Sequence, residues 1–81
     1  VIVNVLYFAQ ARERAGRGAE PLEVVDGARL ADAIDAIRRA RPGLDPLWDS
    51  IALAVDGELA PENAPLREGA EIALLPPVSG G

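Results

Sequence analysis

At 81 residues with 49% apolar side chains, the chain is sized for one domain with a modest core and is too apolar to stay disordered. Its formal net charge of −5 argues against nucleic acid and anionic membranes as partners and toward a protein with a basic face. Cysteine, histidine, lysine, methionine and threonine are all absent, which excludes disulfides, thiolate ligands and most side-chain nucleophiles.

Residues 1–9 read as the first strand. Val1, Val3, Val5 and Tyr7 alternate with Ile2, Asn4, Leu6 and Phe8, and both sets are largely apolar. That pattern predicts a central strand buried on both faces. Gln10 to Ala15 suits a helical turn ended by Gly16 and Gly18, and Pro21 to Val25 a short strand with Leu22 and Val24 on one face. Asp26-Gly27 breaks the chain and offers an N-cap. The clearest helix covers Ala28 to Ala40, where Leu30, Ala33, Ile34 and Ile37 recur at i, i+3, i+4 and i+7. Asp35 and Arg39 form an i,i+4 pair on its outer side, and Pro42-Gly43 stops it. Leu44 to Ser50 is expected to be a connector, with Leu47 and Trp48 plugging one end of the core. Ile51 to Val55 is a third strand, Asp56-Gly57 a hairpin turn, and Glu58 to Ala60 the return. Pro61 to Pro65 is a loop, Arg67-Glu68-Gly69 a turn, and Ala70 to Leu75 the last strand. The order predicts an α+β roll in which the first and last strands pair centrally under one helix. Residues 1–75 would form the domain and 76–81 a flexible tail.

The chemistry is constrained by what is missing. Ser50 and Ser79 have no histidine to activate them. The 13 carboxylates show no EF-hand spacing, and neither a Walker nor a dinucleotide glycine motif occurs. Neither a self-contained active site nor a bound metal or cofactor is therefore expected. No apolar run approaches the roughly 18–20 residues that span a bilayer, and VIVNVLYFA lacks the basic flank and cleavage site of a signal peptide, so a cytoplasmic setting is expected. The reactive group left is the α-carboxylate of Gly81. Gly80 and Gly81 carry no Cβ, so their backbone can thread a narrow channel. Pro76 and Pro77 hold the preceding segment extended.

The ending Ala73-Leu74-Leu75-Pro76-Pro77-Val78-Ser79-Gly80-Gly81 resembles the C-terminal signature of the molybdopterin synthase small subunits, which are ubiquitin-like sulfur carriers. Leu66-Arg67-Glu68-Gly69-Ala70-Glu71-Ile72, Val5-Leu6-Tyr7-Phe8-Ala9 with Arg12-Glu13, and Ala54-Val55-Asp56-Gly57 are similar to that family as well. The resemblance implies a β-grasp fold and a cycle in which an E1-like adenylyltransferase uses ATP to adenylate Gly81. A sulfur donor protein then converts the adenylate to a thiocarboxylate. In the large synthase subunit, within a heterotetramer, the sulfur passes to cyclic pyranopterin monophosphate. The tail, Pro76, Pro77, Val78, Ser79 and Gly80, would thread the partner's active site. Phe8, Leu59 and Leu75 match family interface positions, with burial in the core as the other reading; Arg12 is placed at the interface as a contact for a partner or the tail, with a solvated surface charge as its alternative. Leu75 stands where some members have an aromatic, and Asp56 where asparagine is common. Carriers for thiamine, cysteine or tRNA thiolation would use the same Gly81 chemistry. A ubiquitin-like modifier and a plain interaction domain with an inert tail are the readings from other classes.

Overall fold

The computed structural model describes residues 1–77, so Val78, Ser79, Gly80 and Gly81 lie outside the described residues. The elements in chain order are β1 (Ile2–Tyr7), α1 (Ala9–Ala15), β2 (Ala19–Glu23), α2 (Leu30–Ala40), a 3₁₀ segment (Pro42–Ser50), β3 (Ala52–Val55), β4 (Glu58–Leu59) and β5 (Glu71–Leu75). The strands form one five-stranded sheet in the order β2-β1-β5-β3-β4. β1 and β5 run parallel and the other neighbours antiparallel. This mixed sheet with one main helix across it is the β-grasp roll, an α+β fold.

The core lies between the sheet and α2. Val3, Val5 and Tyr7 from β1 and Ile72 and Leu74 from β5 point into it. They meet Leu30, Ala33, Ile34 and Ile37, the predicted stripe of α2, and all four of these are buried. Leu44 and Leu47 of the 3₁₀ segment close one end, and Trp48 packs half-buried against them. The guanidinium of Arg38 lies 5.3 Å from the centroid of the Trp48 ring, in cation–π range.

Several boundaries differ from the sequence reading for physical reasons. β1 is an inner strand, but it is buried on one face only. Ile2 and Asn4 are exposed and Leu6 is half-buried, because among the described residues no layer covers the second side of the sheet. β2 begins at Ala19 rather than Pro21, since its pairing with β1 runs from Ala19 opposite Leu6 to Glu23 opposite Ile2. α2 begins at Leu30, not Ala28. Its first-turn N–H groups are satisfied by carbonyls of the 61–65 loop: Leu30 N donates to Ala64 O and Ala31 N to Glu62 O, both at 2.8 Å. Arg29, not Asp26, is the N-cap, and its backbone N–H donates to Asp32 Oδ2 at 2.8 Å. The Asp35–Arg39 pair does not form; the ion pairs among the described residues are Arg17–Glu20 and Arg41–Glu20.

Candidate functional site: the tail exit and the open sheet face

Because β1 and β5 are parallel, both point the same way, and Tyr7 registers with Leu74. Phe8, the next residue, therefore falls beside Leu75, and the chain leaves β5 at the edge where α1 begins. Pro76 is buried and Pro77 exposed. The tail thus starts from a point held against the body, next to the β1–α1 turn. Ala9 makes that turn with φ of +50°, in the left-handed region that alanine adopts at some cost.

The alternation of β5 decides which residues flank the exit. Ile72 and Leu74 are fully buried against α2, whereas Ala73 and Leu75 are half-buried on the opposite, uncovered face. Phe8, 44% exposed, and Leu59, 76% exposed, stand out among large apolar side chains that remain in water. Leu59 registers with Ala54, Ala54 with Ala73, and Ala73 with Leu6, so all four lie on the same open face. Ala54 is only 5% exposed yet is not part of the core cluster, as expected for a small side chain hidden between larger neighbours on the outer face. The structure thus brings Phe8, Leu59 and Leu75 onto one side of the sheet at the tail end. Arg12 sits on the exposed side of α1 at the same end, where a Cβ built on Gly18 would lie 3.5 Å from its Nε. Arg12 and Arg17 line a shallow depression there with Ala9, Glu13, Gly16 and Gly18. Leu6 completes the apolar row; the sequence reading missed it by taking β1 as buried on both faces.

A second cluster was not legible in the sequence. Glu20 accepts a bidentate pair from Arg41, Nε to Oε2 at 2.9 Å and Nη2 to Oε1 at 2.6 Å, and a hydrogen bond from the Tyr7 hydroxyl. The Arg41 hydrogen bonds, helped by that of Tyr7, hold the Glu20 carboxyl down at about 2. Burial, and then the Glu20 carboxylate, push the Tyr7 phenol up, so it stays a donor. The cluster ties β1, β2 and the end of α2 together and faces no cavity that could admit a substrate. A groove of about 470 Å³ between the end of β2 and α2 is lined by Glu23, Asp26, Asp32, Asp35, Arg39 and exposed Val25 among others, and offers neither a nucleophile nor a histidine base. Among the described residues, no group of three or more carboxylates is placed to hold a metal ion.

What this arrangement can do is present an apolar face beside the point where the chain leaves β5 through Pro76. Residues 5–81 match the ThiS family. The chain belongs to the ThiS family. A molybdopterin synthase sulfur carrier subunit of Chlamydomonas reinhardtii is 37% identical, covering 98% of each chain. The small archaeal modifier protein 1 of Haloferax volcanii superposes with a TM-score of 0.87 at 31% identity, over 96% of this chain and 99% of that one. One chain of the complex of subunits 1 and 2 of the molybdopterin-converting factor from Helicobacter pylori matches with a TM-score of 0.76 at 28% identity, over 100% of both. Among the described residues no helix is long and apolar enough to cross a membrane.

Proposed function

We propose that this chain is the sulfur carrier subunit of molybdopterin synthase and that Gly81 carries the sulfur. The observation that carries the reading is the match to the ThiS family over residues 5–81, together with a chain that leaves β5 beside an uncovered apolar face. The chain itself supplies no base or nucleophile, so the chemistry falls to its partners. In an E1-like enzyme, the Gly81 carboxylate attacks the α-phosphorus of ATP and pyrophosphate leaves. The resulting acyl adenylate is electrophilic because AMP is a good leaving group. Sulfide-level sulfur supplied by a sulfur donor protein attacks the acyl carbon, the acyl–phosphate bond breaks, AMP leaves, and a thiocarboxylate remains. In the large subunit this sulfur passes to cyclic pyranopterin monophosphate, and water restores the carboxylate. A dithiolene contains two sulfurs, so each product consumes two loaded carriers, which suits a heterotetramer. The reading places the cycle in the cytoplasm, where ATP is supplied.

Within this reading, Phe8, Leu59 and Leu75 form the docking contact, Arg12 its rim, and Gly80 the slim segment that passes the channel. The complex of subunits 1 and 2 from Helicobacter pylori supports the large subunit as partner. The test is intact mass after incubation with ATP, the activating enzyme and the sulfur donor. The full chain should gain the mass difference between sulfur and oxygen. A chain ending at Gly80 should gain nothing while keeping its denaturation midpoint; normal sulfur loading of that truncation would overturn the assignment.

A second reading is favoured by the likeness to the Haloferax modifier protein. There the same carboxyl group would be joined to a lysine of another protein, since this chain has none. Conjugation adds a whole protein to the mass, so the same experiment separates the two.

A further inference from the structure

The open face of the sheet is graded along its strands. Near the tail it is apolar: the row Ala19, Leu6, Ala73, Ala54, Leu59 crosses all five strands. Two residues back along the strands, about 7 Å away, the row reads Pro21, Asn4, Glu71. Two residues further, Glu23 pairs with Ile2. Glu68 and Asp56 close this lower edge: Glu68 Oε1 accepts from Ile2 N at 3.1 Å and Asp56 Oδ1 from Glu71 N at 2.9 Å. The ion pairs among the described residues all belong to Glu20, so no arginine neutralises these four exposed carboxylates. At the opposite, tail-side end, Arg12, Glu13 and Arg17 line the depression beside α1, and Arg17 is paired with Glu20. The open face therefore runs from an apolar band on the tail side to an acidic half.

Resting on the carrier reading, we infer that the docking surface includes this acidic half, and that its occupant is a protein surface with an apolar ridge and arginine or lysine side chains about 7–13 Å from it, on the side away from the tail. The apolar band supplies contact area but no direction. The carboxylates supply direction, because β1 and β5 place them at the end of the sheet opposite the tail exit. A partner whose cations meet Glu71 and Glu23 has its other end on the side where the chain leaves β5 after Leu75. A partner turned end for end would take those cations away from Glu71 and Glu23 and lose the attraction. The polarity of the face thus aims the tail before any contact of the tail itself.

The test uses the full chain and the recombinant large molybdopterin synthase subunit encoded in the same genome. Affinity and association rate are measured across ionic strength for the wild type, a Glu23→Arg/Glu71→Arg variant and a Glu23→Gln/Glu71→Gln variant, with denaturation midpoints and sulfur loading recorded on each. The charge-reversed variant should bind at least about tenfold more weakly at low salt, mainly through slower association, and the gap should close as salt is raised. The glutamine variant should lose less, in the same direction, which keeps the test decisive if charge reversal impairs folding. Wild-type binding with unchanged affinity and salt dependence in the glutamine variant, or in a folded charge-reversed variant, overturns the inference. So does an absence of wild-type binding. Sulfur loading of the wild type separately decides the carrier reading.

Discussion

Glu20 does more to lock the architecture than its place in a short edge strand suggests. Its carboxylate joins β2 to Tyr7 of β1 and to Arg41 at the end of α2, and it is mostly shielded, with 18% of its side chain exposed. The Arg41 hydrogen bonds hold the folded-state carboxyl down at about 2, well below its ordinary value of 4.5. Folding therefore favours the ionised form, and the contribution is full above the unfolded value and is lost as pH falls from 4.5 toward 2. That interval corresponds to at most about 3 kcal/mol. Glu20→Gln should lower stability by about 2–3 kcal/mol near neutral pH, and the difference from wild type should narrow as pH approaches the folded-state value. Urea denaturation at both ends of the window checks this; a pH-independent difference would mean that packing, not charge, sets the loss. The cluster was invisible in the sequence because its three members are far apart in the chain, and only strand pairing and the path out of α2 bring them together.

At the scale of elements, local pattern was a good guide where the physics is local. The i, i+3, i+4, i+7 stripe of α2 is the buried face of the helix. Ile34 is 4% exposed, and Ile34→Ala should cost about 2–5 kcal/mol of stability. Partner affinity of the folded fraction should be unchanged, measured by calorimetry well below the melting temperature; a folded variant that fails to bind would make the stripe an interface. The Asp56-Gly57 turn also follows from its residues: φ of +51° and +87° puts both central positions in the left-handed region that a tight hairpin needs. The helix start was not local. Asp26 and Gly27 look like a cap, but the carbonyls that satisfy the first turn come from residues 62 and 64, more than thirty positions away. The Asp35–Arg39 pair failed for a related reason: spacing permits such a pair, but a water-exposed one gains too little to hold two side chains in place.

At the scale of the whole molecule, the proposed docking rests on one face of the sheet being left uncovered among the described residues. Leu74 and Leu75 are neighbours of identical chemistry, yet Leu74 is fully buried and Leu75 lies half-buried beside the tail. Leu75→Glu should weaken binding to the large subunit by several kcal/mol, because the charge would be desolvated in the interface, and should shift the denaturation midpoint little. Binding and folding are to be measured on the same preparation; collapse of the fold would place Leu75 in the core.

Residue composition and short-range pattern by themselves determined the poverty of catalytic groups, the diglycine end, the α2 stripe and the hairpin turn. These depend on residue identity and on contacts a few positions apart. Family resemblance in the sequence singled out Phe8, Leu59 and Leu75 as expected docking residues, but not the row that joins them through Leu6, Ala73 and Ala54. Tertiary structure alone decided that β1 lies parallel to β5, that one side of the sheet has no covering layer, that Glu20 meets Tyr7 and Arg41, and that Glu71 and Glu23 lie below the apolar row. The reason is that an alternating strand offers two faces of similar apolarity. Which face is buried is set by the single helix that packs on the sheet and by register between strands at opposite ends of the chain.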